Sequence, residues 1–122
     1  LAATISKNHP DGLVDVPFIA NGALKDPLTW RFSRDDLEDH TVRMRGVMTI
    51  DATPAVLAAT LAGGGLSVLP DFLVSEYVAG RRLVHILPVW SLPSGEIHVV
   101  YPAARFRPPK VREFVAMLVE RL

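Results

Sequence analysis

The chain has 122 residues, with 13 Lys plus Arg balanced by 13 Asp plus Glu, a length for one small domain or part of a larger one and a charge balance that excludes an autonomous nucleic-acid-binding surface. Hydrophobic residues make up 49% and charged residues 21%, which excludes disorder and supplies a core able to bury roughly 65% of the unfolded surface without metal or disulfide. Cysteine is absent, so disulfides, thiolate nucleophiles and Cys-based metal sites are excluded, while the compartment stays open.

The first stretch, Asn8-His9-Pro10-Asp11-Gly12-Leu13-Val14-Asp15, is turn-rich and supports at most one helical turn, and Val16-Pro17-Phe18-Ile19-Ala20 follows as a short strand. Asn21-Gly22 and Lys25-Asp26-Pro27 are turn signals, so Leu28-Thr29-Trp30-Arg31-Phe32 is expected as a second extended piece. Residues 34–40, with Asp35, Asp36, Glu38 and Asp39, read as a solvated hairpin connection. Over residues 41–50 the apolar side chains Val42, Met44, Met48 and Ile50 fall on even positions, the period of a half-buried strand, with Gly46 marking a bulge or break.

Thr53-Pro54 is a helix-start signature in which the hydroxyl accepts a first-turn amide and Pro occupies the first helical position. The helix is expected to run to about Ala62, apolar almost all round and buried on several faces, and to end at Gly63-Gly64-Gly65. Leu66-Ser67-Val68-Leu69 is predicted as a buried strand stopped by Pro70. Asp71 is then the N-cap of a helix over residues 72–79 that Gly80 terminates. Leu83-Val84-His85-Ile86-Leu87 and Ile97-His98-Val99-Val100-Tyr101 are strands separated by a Pro93-Ser94-Gly95 turn. After Pro108-Pro109, the residues Val111, Phe114, Val115, Leu118, Val119 and Leu122 form the apolar stripe of a final helix. Strands alternating with helices define an α/β layer with a largely parallel sheet.

No enzyme signature of strength is present. The triple glycine leaves a helix and enters a strand, the reverse of a phosphate loop, so it reads as a helix stop. Ser67 lacks the strand–turn–helix setting of a nucleophile elbow. His9, His40, His85 and His98 have no metal-ligand spacing, and the acidic run at residues 35–39 lacks the glycine and terminal glutamate of a calcium loop, so neither a metal nor a cofactor is expected. Arg105, Arg107, Lys110 and Arg112 are the only basic concentration, without the interleaved aromatics of a single-strand binder. In open α/β sheets ligands bind beyond the carboxyl ends of strands, where helix N-termini present amides. That rule selects Ala20-Asn21-Gly22, residues 51–53 and Leu69-Pro70-Asp71, with Thr53 first because its hydroxyl and the following amides can hold a carboxylate.

The order of Ala58-Ala59-Thr60-Leu61-Ala62-Gly63-Gly64-Gly65-Leu66-Ser67-Val68-Leu69-Pro70, Ala79-Gly80-Arg81-Arg82-Leu83-Val84, Val100-Tyr101-Pro102 and Pro108-Pro109-Lys110-Val111-Arg112-Glu113-Phe114 resembles the C-terminal part of the effector-binding domain of LysR-type transcriptional regulators. His9-Pro10-Asp11-Gly12-Leu13 and Trp30-Arg31-Phe32 are similar to weaker family features. The resemblance implies a periplasmic-binding-protein-like α/β fold. In it residues 1–96 form the second lobe, with a hinge at 1–15, and residues 97–122 are a crossing strand and C-terminal helix that pack on a first lobe. It also implies a small-molecule effector, a carboxylate or aromatic metabolite, in a cleft lined by Asn21 and Gly22 after the first strand, Thr53 at the helix start, and Val100 and Tyr101 on the crossing strand.

DNA contact then belongs to an N-terminal domain outside these residues, and the expected setting is cytoplasmic. A chain starting at Leu1 rather than Met is read as a processed chain or a segment of a longer one, and its last helix has a stripe that favours a homo-oligomer. No run of about 18 apolar residues occurs, so no membrane span is expected. A solute-binding module of a transport system is the alternative of similar fold. A small hydrolase is the third class, lacking a visible nucleophile and base.

Overall fold

A computed structural model describes residues 9–93 and 96–105, Arg105 by its backbone alone. The expected final helix and most of the basic concentration lie outside the described residues.

A 3-10 turn at Pro10–Leu13 leads into β1 (Pro17–Asn21), and β2 (Thr29–Arg34), β3 (Leu37–Arg43) and β4 (Arg45–Ile50) follow. Helix α1 (Thr53–Leu61), β5 (Ser67–Pro70), helix α2 (Asp71–Ala79), β6 (Leu83–Ile86) and β7 (Ile97–Pro102) come next, before a 3-10 turn at Ala103–Arg105. β1 and β4 pair in parallel, and a parallel bridge between Phe18 and Leu66 carries β1 onto the start of β5. β7 lies between β5 and β6 and is antiparallel to both. The sheet is therefore mixed, as expected, in the order β4-β1-β5-β7-β6, but its parallel and antiparallel junctions are in equal share rather than mostly parallel. The physical reason is the path of β7, which runs back between β5 and β6 and so opposes both.

Side chains alternate across this sheet as strand geometry requires. Ile19, Leu69, Val100 and Leu83 face the helices and pack with Val56 of α1 and Val74 of α2. Phe18, Ala20, Val68, Val99, Tyr101 and Ile86 face the other way, onto Phe32 and Val42 of the β2–β3 hairpin, Leu13, and Leu87, Trp90 and Leu92 of the loop after β6. Two cores thus form, one on each face of one sheet.

Residues 34–40 are solvated and join a hairpin as expected, but the connection itself is shorter than expected. β3 begins at Leu37, and Arg34 pairs with Leu37 across a tight Asp35-Asp36 turn. The charged alternation of β3 is its exposed face, and Val42 supplies the buried one. The period-two stretch at residues 41–50 is two strands, because the chain leaves the hairpin at buried Met44 and joins β1. The expected irregularity near Gly46 is present: Phe18 pairs with Gly46 but Ile19 with Met48, so Val47 is the extra residue of a bulge.

Helix α1 begins where expected, but Ala52 is its N-cap, Thr53 is its first residue, and no side chain caps it. It buries only Val56 and Thr60, so the expectation of burial on several faces is corrected: it lies on one side of the sheet, and Ala55 and Ala58 point outward. Its end follows the sequence signal. Gly63 adopts φ 96° and donates to Thr60, and Gly64 donates to Ala59, the paired bonds of a Schellman stop. α2 ends by the same two bonds, Arg81 to Val78 and Arg82 to Tyr77, but its left-handed residue is Arg81 at φ 64° rather than Gly80. Asp71 is its first residue, with Pro70 at the N-cap.

Candidate ligand-binding site

The parallel pair β1 and β4 ends beside the N-terminus of α1, and the Gly22 amide donates to the Ile50 carbonyl at 2.9 Å to close that corner. Asn21, last in β1, points to the helix face. Its Nδ2 donates to Thr53 Oγ1 at 3.0 Å, and its Oδ1 accepts the Ala23 amide at 3.0 Å in a local turn. Thr53 therefore accepts from Asn21 instead of capping α1, which corrects the expected use of its hydroxyl. The hydroxyl still has its own proton to give. A Cβ at Gly22 would meet the Asp51 carboxylate and, at 2.9 Å, the Thr49 methyl group, two exposed side-chain ends that must move to admit it. A donor amide, a hydroxyl, an uncapped helix N-terminus and an exposed carboxylate thus meet within one loop pair.

The structure brings Asn21, Gly22 and Thr53 together and does not bring Val100 or Tyr101 to them. Val100 is 0% and Tyr101 1% exposed, in the helix-side and hairpin-side cores respectively. Val100 pairs with Ser67, next to the Leu66 that bridges Phe18, so neither Val100 nor Tyr101 lies level with Asn21 at the end of β1. Asp51 belongs to the 51–53 segment that the strand-end rule selects, and the structure sets its carboxylate close to Gly22. Its signal was its place between the end of β4 and the Thr-Pro helix start.

Ser67 is fully buried and its hydroxyl lies 2.8 Å from that of Thr60, which itself donates to the Val56 carbonyl at 2.8 Å. Such a serine is not reachable by a substrate. His85 and His98 stack at 4.2 Å on the helix side of β6 and β7, and His98 Nε2 is 3.0 Å from Asp71 Oδ1. Burial, with the neighbouring His98 acting the same way and Asp71 opposing, lowers the His85 pKa below its usual 6.5. The unfolded chain then takes up this proton more readily than the folded one. Stability is full above the ordinary value and falls as pH drops through it toward the lower folded value. The urea midpoint is expected to decline between about pH 7.5 and pH 5.5, and to decline less in His85→Gln. An equal decline in both chains would assign the effect to other groups. His9 and His40, distant in sequence and unmarked by any spacing, are brought together with Asp11.

An α/β lobe whose parallel strands end against a helix N-terminus, with polar groups gathered there, defines a small-molecule-binding module of the periplasmic-binding-protein-like fold. Residues 1–122 match the LysR substrate binding domain family, and the chain belongs to it. It is 43% identical over 114 residues to the HTH-type transcriptional regulator PtxR of Pseudomonas aeruginosa, covering 93% of this chain and 36% of PtxR. Its fold is similar to that of the AphB regulatory domain from Vibrio vulnificus, with TM-score 0.62, 28% identity and coverage of 93% of this chain and 56% of that one. The full-length Vibrio cholerae virulence activator AphB, a member of the LTTR family, matches in fold with TM-score 0.63 at 23% identity, over 95% of this chain and 39% of that one. The chain thus spans about a third of its curated relative PtxR. The comparisons favour an effector-sensing regulatory module over a transport module. Among the described residues no helix is long and apolar enough to cross a membrane.

Proposed function

We propose that this chain is the second lobe of the effector domain of a bacterial, cytoplasmic LysR-type regulator, and that Asn21, Gly22 and Thr53 contact the effector. In the same proposal residues 1–96 form that lobe with its hinge at 1–15. Residues 97–122 return toward a first lobe, β7 pairing in this sheet before the chain leaves it. The parent contacts DNA through a separate N-terminal domain and assembles as a homo-oligomer. It acts by binding, not by catalysis. Val100 and Tyr101 support the site from the core.

The observation that carries the reading is the Asn21–Thr53 hydrogen bond at the end of β1, which holds a hydroxyl donor beside the uncapped N-terminus of α1. Helix dipole and free amides favour an anionic group there. Asp51, close to Gly22, adds a negative charge and an acceptor. An effector carrying an anionic group and, beside it, a hydroxyl or amine suits the corner better than a bare carboxylate.

The test is a thermal-shift screen of small hydroxy, amino and simple carboxylic acids on the two-lobe regulator, followed by dose-response of a target promoter. A hydrogen bond to a charged group contributes about 1.5–3 kcal/mol, so Thr53→Val is expected to raise the half-maximal effector concentration at least about tenfold. Asn21→Ala, which frees the hydroxyl from its partner, is expected to act in the same direction. If Thr53→Val leaves the response intact while Asn21→Ala abolishes it, Thr53 is not the leading contact. Unaltered response in both folded variants removes the site from this corner.

A further inference from the structure

We infer that His9, Asp11 and His40 form a binding site for a divalent transition metal of the zinc class, separate from the effector corner. The fold assembles it from two distant parts of the chain, since His9 and Asp11 open the 3-10 turn before β1 while His40 stands on β3. One ligand atom from each lies within 4.8 Å of the other two. A tetrahedral zinc site with bonds of about 2.0–2.2 Å needs neighbouring ligand atoms about 3.3 Å apart. His9 Nδ1 and Asp11 Oδ2 already stand at 3.7 Å. The Asp11 side chain is 69% exposed and free to rotate through the small remaining distance.

The donor chemistry selects the ion. Two imidazoles and one carboxylate suit zinc, nickel, cobalt or copper, whereas magnesium and calcium prefer all-oxygen sets. His9 Nδ1 accepts the Asp11 amide at 3.1 Å, which engages its one in-plane lone pair, so an ion bound at Nδ1 takes the place of that amide bond. Water completes the coordination.

The two rings are held in place before any ion arrives. Their centroids are 4.5 Å apart in an edge-on arrangement, and each meets the edge or face of Trp90 at 5.5 and 5.7 Å. Trp90 is only 5% exposed, so this platform is fixed by the hairpin-side core. Arg34 lies 5.8 Å over the same indole and opposes a cation, a charge that the Asp11 carboxylate offsets. A bound ion would tie the segment leading into β1 to the β2–β3 hairpin.

The experiment is calorimetric titration of Zn²⁺ into the untagged 122-residue chain, with Trp fluorescence quenching by Cu²⁺ as the optical readout of an ion beside Trp90. Saturable uptake of one ion per chain is expected, weakened at least tenfold in His40→Gln and in Asp11→Asn, and unaltered in His98→Gln. Asp11 is exposed, so its variant folds and decides the matter even where His40→Gln does not. Absence of saturable binding up to about 100 µM Zn²⁺, unaltered affinity in Asp11→Asn, or loss of binding in His98→Gln would each overturn the site, the last by assigning the ion to the His85–His98 pair.

Discussion

Gly65→Ala is expected to cost the lobe about 3 kcal/mol or more, the largest effect of any single methyl group added to it. Gly65 stands at φ +149°, and a Cβ there would meet the Pro17 carbonyl oxygen at 2.6 Å and its carbon at 3.1 Å. Both contacts are backbone, so no side chain can swing aside. Relief requires β1 and Leu66 to separate, and the two bonds that hold them are Leu66 to Pro17 at 2.9 Å and Ile19 to Leu66 at 2.8 Å. Backbone strain of about 1–3 kcal/mol thus adds to weakening of bonds that contribute about 1 kcal/mol each. For a domain of this size the melting temperature falls about 4–8 °C per kcal/mol, so a drop above about 10 °C is expected. Gly80→Ala is the comparison. Gly80 has φ −83° and a new Cβ would lie 3.3 Å from the Glu76 carbonyl, a contact relieved by a small shift. If urea unfolding gives Gly65→Ala no greater cost than Gly80→Ala, the close approach of β1 to the Gly65 backbone is not as described.

The contrast between these glycines shows what was legible in the chain. Gly63 to Gly65 announce a helix stop by composition alone, and the stop is there. That Gly65 must be glycine because Pro17 passes over it is a long-range fact, set by how β1 lies against Leu66. The β2–β3 hairpin was legible as a connection, but the early start of β3 at Leu37 was not, for a related reason. Its buried contribution is little more than Phe32 and Val42, and its charged residues look like a loop until a partner strand gives them an exposed face. The corner of Asn21, Gly22 and Thr53 was readable because a turn after a strand and a helix start each carry local signals. The bond between Asn21 and Thr53 was not readable, because it depends on β1 and β4 being neighbours. Val100 and Tyr101 were correctly seen as strand residues, while their burial follows from β7 being flanked on both sides.

The second large effect is expected at the join between α1 and β5. Thr60 and Ser67 are the two buried polar residues among those described, each 0% exposed, with hydroxyls 2.8 Å apart. Thr60 has one proton and gives it to the Val56 carbonyl at 2.8 Å, so Ser67 is the donor in the pair. Thr60→Val keeps the shape and removes the acceptor, leaving a buried serine proton without that partner at a cost of about 1–3 kcal/mol. Ser67→Ala removes the donor but leaves Thr60 its bond to Val56, so it is expected to cost about 1 kcal/mol or less. The double variant takes away both polar groups at once and is expected to be more stable than Thr60→Val alone, since no orphan proton remains. A double-mutant cycle in urea should therefore show non-additivity of at least about 0.5 kcal/mol, as contacting pairs do. Simple additivity would mean that the two hydroxyls act independently and that α1 is held to β5 by Val56, Leu69 and Val100 alone.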